Sequence, residues 1–131
     1  MIRATTHTVK FDCIDVIEPE DSVRHIEISF SQENNPEANI VRHFAKDENG
    51  EITVNDCYLD DQTKIISTVL TPAETLLFTD KRKAKVQLRI LMWDVNGRPY
   101  ILGNYIQMIT VYPTQSESFF GVNFLGGVAN G

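Results

Sequence analysis

A chain of 131 residues with 42% hydrophobic and 23% charged side chains has the size and composition of one ordinary globular domain, long enough to bury a core. No apolar run approaches the roughly 20 residues that span a bilayer, and the first residues lack a basic-then-apolar leader pattern. A non-membrane protein made in the cytoplasm is therefore expected. The net charge of −6 is unevenly spread: residues 12–61 hold 14 of the 18 acids and only Arg24, Arg42 and Lys46 as bases, a half that repels phosphate backbones and disfavours nucleic-acid binding.

Met1 to Ile14 alternates through His7, Val9, Phe11 and Cys13 among threonines, a first strand. Glu18-Pro19-Glu20-Asp21 is an acidic turn. Val23 to Ser31 sets Ile26, Ile28 and Phe30 on one face against Glu27 and Ser29, a second strand. A polar loop over residues 32–37 leads into Ala38 to Lys46, where Ile40, Arg42 and Phe44 alternate with Val41 and His43. This third strand reads as an edge. Asp47-Glu48-Asn49-Gly50 is a hairpin turn, since glycine takes positive φ at low cost. Glu51 to Leu59 is a weaker strand around Ile52, Val54 and Cys57. Thr63 to Leu70 reads as a strand buried on much of both faces.

Thr71 to Phe78 is a short helical turn. Thr71 is a good N-cap, Pro72 suits the first helical position and Glu74 completes a capping box. Leu76, Leu77 and Phe78 give it an apolar side. Past the basic loop, Ala84 to Trp93 alternates Val86, Leu88, Ile90 and Met92 with Lys85, Gln87 and Arg89. Asp94-Val95-Asn96-Gly97 is a second hairpin turn, and Tyr100 to Tyr112 pairs back, with a bulge expected at Gly103-Asn104. About seven strands at this spacing, with one helical turn near 71–78, predict an all-β fold, an immunoglobulin-like antiparallel β-sandwich over residues 1–112. Residues 113–131 form a Gly/Phe-rich tail. Glycine-rich ends fray, so Phe119, Phe120, Phe124 and Leu125 read either as anchors for a neighbouring subunit or as packing on their own domain.

No pattern of catalytic residues emerges. The three histidines fall on three separate strands without zinc-motif spacing, although His25 can approach His7 across a sheet. Asp47 to Gly50 resembles a calcium loop for four residues and then lacks the later ligands. No nucleophile elbow or phosphate-cradling glycine loop occurs. No cofactor, metal or catalytic residue is therefore assigned. Cys13 and Cys57 read as small core residues, or as a pair that spacing alone does not settle. Lys81, Arg82, Lys83 and Lys85 form a basic cluster, either a solvated loop or a dock for an acidic partner. Trp93, Tyr100 and Tyr105 stand near one hairpin, as core pairs or as a ligand platform.

Three stretches resemble a family of small virion proteins encoded in phages and prophages of Firmicutes and other gut bacteria. They are the threonine-rich opening Met1 to Phe11, the run from Asn55 to Leu59 and on through Ile65 to Phe78 with its L-T-x-x-E-T turn, and Val86 to Leu91 followed by Asn96-Gly97. Together they cover about half the chain in the family's order. Ala4 stands where that family usually has glycine. The loop near Asn34 is longer, and the tail has no counterpart. The resemblance implies a non-enzymatic virion component, such as a head fibre, capsid decoration or tail and baseplate adaptor. It would be located in the virion, with other virion proteins and copies of itself as partners. A carbohydrate- or host-receptor-binding sandwich using Trp93, Tyr100 and Tyr105 is the alternative expectation.

Overall fold

The computed structural model of the chain describes residues 1–114. Phe119, Phe120, Phe124 and Leu125 lie outside the described residues. Among the described residues the elements run β1 (His7–Asp12), β2 (Ser22–Gln32), β3 (Asn39–Lys46), β4 (Ile52–Asn55), β5 (Tyr58–Leu59), β6 (Ile65–Leu70), α1 (Pro72–Thr75), β7 (Lys83–Trp93) and β8 (Pro99–Thr110). They form two antiparallel sheets, a small one ordered β1-β6-β5 and a large one ordered β4-β3-β2-β7-β8. The fold is an all-β sandwich. Its strand order is that of an immunoglobulin variable-type sandwich without a full first strand. In place of that strand, Ile2 makes an isolated parallel bridge to Tyr112 beyond the end of β8.

The period-two alternation decides what is inside. Ile26, Ile28 and Phe30 of β2 face Val86, Leu88, Ile90 and Met92 of β7 in one buried layer. Val9 and Phe11 of β1 and Ile66 and Leu70 of β6 close it from the other sheet. Each such side chain contributes about 1.5–3 kcal/mol by leaving water.

Several expectations need correction. The third strand is not an edge, because β4 covers it. The weak run over 51–59 is two strands in different sheets. Asp56 is the corner between them: its amide donates to the His43 carbonyl of β3 at 2.7 Å, and its carbonyl accepts from the Thr68 hydroxyl of β6 at 3.1 Å. One residue thus satisfies backbone groups in both layers, which lets the chain change sheets. Strand β6 is buried on one face only, and Val69 is exposed.

The capped turn forms as its residues require. Thr71 Oγ1 accepts from the Glu74 amide at 3.2 Å, and Glu74 Oε1 accepts from the Thr71 amide at 2.9 Å. Leu76 and Leu77, however, point to solvent, and Phe78 and Thr75 are the buried anchors. The Thr75 hydroxyl donates to the Thr5 carbonyl at 3.0 Å. The side chain of Gln32 ties the following loop to β2. Its amide nitrogen donates to the Thr79 carbonyl and its carbonyl oxygen accepts from the Thr79 amide, each at 2.8 Å.

Candidate functional site

The outer face of the large sheet carries the exposed chemistry. Its register sets residues in rows across the strands. Ala45, His25, Leu91 and Ile101 make one row, His43, Glu27, Arg89 and Asn104 the next, and Val41, Ser29, Gln87 and Ile106 a third. Asn39, Ser31, Lys85 and Met108 follow. Along β7 this face is basic, through Lys83, Lys85 and Arg89. Along β8 it is apolar: Ile101, Ile106 and Met108 are 59%, 54% and 54% exposed. At the opposite edge, Ile52 and Val54 of β4 are also exposed, beside the acidic hairpin of Asp47, Glu48 and Glu51.

Among the described residues both edges of the large sheet are open. Among the strands of those residues β4 pairs only with β3, and β8 only with β7. The far end of β8 is partly covered, because the Met1 amino group donates to the Thr110 carbonyl at 2.9 Å and the Tyr112 amide donates to the Met1 carbonyl at 2.7 Å. From Pro99 to Ile109 the outer edge of β8 pairs with no strand among the described residues. An uncovered run of this kind presents backbone donors and acceptors to another chain.

His25 and His43 meet on this face. His25 Nε2 and His43 Nδ1 are 2.9 Å apart with the rings tilted by 39°. His7, which the sequence allowed to approach His25, lies on β1 in the small sheet. The pairing was recoverable from the apolar pattern. Matching Phe30 with Ile40 and Ile26 with Phe44 across the 33–38 loop fixes the β2–β3 register and makes the two histidines diagonal neighbours. Beside them lies a hollow of about 140 Å³ lined by His25, Glu27, Arg89, Ile90, Leu91 and Ile101. Glu27 and Arg89 form an ion pair at 3.4 Å across it.

On the core side of β3, opposite Ile28, Arg42 reaches the capped turn. Its Nη2 lies 2.5 and 2.6 Å from the two Glu74 oxygens. The guanidinium holds the Glu74 carboxyl below its ordinary value, with the Thr71 hydrogen bonds adding to the effect. Glu74 therefore fastens the turn to β3 with both oxygens and caps it with one of them, Oε1.

Trp93, Tyr100 and Tyr105 do not share a face. Trp93 pairs with Pro99 on the outer side and lies under Arg24, whose guanidinium carbon is 4.4 Å from the ring centre. Tyr100 and Tyr105 are opposite the buried Met92 and Leu88 and pack against the core. The Tyr100 hydroxyl donates to the Asp21 carboxylate, which pushes its pKa up to about 12. Cys13 and Cys57 are free, buried thiols. Burial, reinforced by Asp56, raises Cys57 to about 12, which disfavours the reactive thiolate there.

Among the described residues no group of three or more His, Cys, Asp or Glu side chains is placed to hold a metal ion. No helix among them is long and apolar enough to cross a membrane. Compared with known proteins, the chain matches no family model, no curated protein and no solved structure.

Proposed function

We propose that this chain is a non-enzymatic structural protein of a phage particle, a head fibre, capsid decoration or tail and baseplate adaptor, that works by burying surface against copies of itself and other virion proteins. The observation that carries the assembly part is the edge of β8, open among the described residues, with Ile101, Ile106 and Met108 exposed beside it. Three exposed apolar side chains on one strand are an interaction surface in a way that scattered ones are not. The opposite edge offers a complementary mate, with exposed Ile52 and Val54 against acidic Asp47, Glu48 and Glu51, where β7 supplies Lys83, Lys85 and Arg89. Opposite charge at the two edges steers unlike edges together. The virion part of the reading rests on the three stretches that resemble phage and prophage proteins.

The test is the mass in solution by light scattering coupled to size exclusion, at about 50 mM and about 1 M salt, with chelator present. The expected result is a defined oligomer that Met108→Lys or Ile106→Lys reduces to a 14.9 kDa monomer with an unchanged circular dichroism spectrum. Deleting residues 114–131 is expected to weaken assembly while leaving the domain folded. A monomer at both salts would overturn self-assembly. Retention of the oligomer in both lysine variants would move the contact away from β8.

A further inference from the structure

We propose that His25 and His43 form a binding site for a divalent transition-metal ion of the zinc, nickel and copper class, on the outer face of the large sheet. The inference does not depend on the assembly reading.

Two imidazole nitrogens 2.9 Å apart already stand near a chelating distance. A tetrahedral zinc ion with bonds of about 2.0–2.1 Å holds two imidazole nitrogens about 3.3 Å apart. A square-planar copper or nickel ion with bonds of similar length holds them about 2.9 Å apart. The rings need to turn so that both lone pairs converge on the ion, and their nitrogens need to part by a few tenths of an ångström at most. The strands beneath do not have to move, because the β2–β3 register already sets the two residues diagonally on one face.

The proton balance is simple. In the metal-free pair one ring donates and the other accepts. On metal binding, the proton between the rings moves to the outer nitrogen of the ring that carries it, Nδ1 of His25 or Nε2 of His43. A neutral pair therefore takes the ion without net proton release.

The surroundings favour a cation with open coordination positions. Both histidines are half-buried, so the site is shielded but reachable. The adjoining hollow leaves room for water on the remaining positions. Glu27 lies directly opposite His43 and supplies negative charge beside the pair, and Arg89, which it faces at 3.4 Å, offsets part of it. Ala45 and Leu91, the other residues in register with His25, carry no charge. The donors are nitrogen, so borderline metals are favoured over calcium and magnesium, which take oxygen.

The experiment is a zinc titration of the untagged full chain at about pH 7.5, followed by calorimetry and by the imidazole proton resonances. His7 is the internal control, being on the other sheet. The expected result is saturable binding that shifts the His25 and His43 signals and leaves His7 in place. Single His25→Ala and His43→Ala variants should each weaken binding at least 10-fold while their circular dichroism stays that of the parent. Nickel should bind in the same way, and calcium should shift neither signal. Zinc binding that survives either alanine substitution, that moves His7 equally, or that is absent altogether would overturn the proposal.

Discussion

Arg42 is carried into the core side of β3 by strict alternation between Ile40 and Phe44, and Glu74 is what makes that position tolerable. Removing the guanidinium leaves a partly buried carboxylate without its charged donor. Arg42→Met should cost about 2 kcal/mol, a figure typical of hydrogen bonds to charged groups, read as a drop in the midpoint of urea unfolding. The pH dependence has a definite sign. The folded-state pKa of Glu74 is lowered from its ordinary value of 4.5. The stability it contributes is therefore present above that ordinary value and is lost as pH falls through the lower folded value. The gap between parent and Arg42→Met should narrow below about pH 4, with thermal melts from pH 3 to 7 as the check. Ala4 gives a prediction of opposite direction. Its φ is 61°, in the left-handed region where a Cβ costs about 1–2 kcal/mol and glycine costs none. Ala4→Gly should stabilise the protein by about 0.5–1 kcal/mol once glycine's larger unfolded-state entropy is subtracted. A lower melting temperature would refute it. Residue faces were legible in the sequence wherever apolar and polar side chains alternated. The partner of Arg42 was not, because Glu74 is 32 positions away and only the folding of α1 over β3 brings it near.

At the scale of elements, the same turn occurs twice. Asp47 to Glu51 and Asp94 to Arg98 share the pattern D-x-N-G-x. In each, the aspartate carboxylate accepts from the backbone amides two and four residues on, all at 2.9 Å, and the glycine amide donates to the aspartate carbonyl at 3.0 Å. Gly50 and Gly97 take φ of 80° and 76° with open space around them. Alanine at either glycine is opposed by backbone strain, partly offset by its smaller unfolded-state entropy, and should cost about 0.5–1 kcal/mol at both sites, measured by chemical denaturation. A loss at only one of them would show that the turns are not equivalent. The turns and the capped helix were readable because their chemistry is local. The division of residues 51–59 was not, since a short apolar run looks the same whether it stays in one sheet or changes to the other at Asp56. The bulge was readable nearly to the residue: the register of β7 on β8 slips between the pairs Ile90–Gly103 and Leu91–Ile101, leaving Leu102 unpaired.

For the whole molecule, the sandwich class followed from strand count and turn spacing. Sheet order did not, because nothing in a single strand's pattern says which strand lies beside it. The uneven charge seen along the chain acquires a place in the fold: the acidic hairpin lies by β4, and the basic column lies on β7 next to the opposite edge. Raising salt should therefore slow association by weakening the long-range attraction between edges while leaving the apolar contact in place. Stopped-flow association rates at two ionic strengths would show this, and a salt-independent rate would assign the encounter to apolar contact alone. A sheet that ends in β4 on one side and in β8 on the other has one further consequence. In the proposed assembly, contact between unlike edges places no twofold axis at the joint, so each added copy presents the same unfilled edge as the last. The geometry then has two outcomes: a closed ring, if the turn from one copy to the next divides a full circle, or a polar filament with distinguishable ends if it does not. Copy number would be set by that angle, and tightening the contact would lengthen the lifetime of the assembly without changing how many subunits complete it.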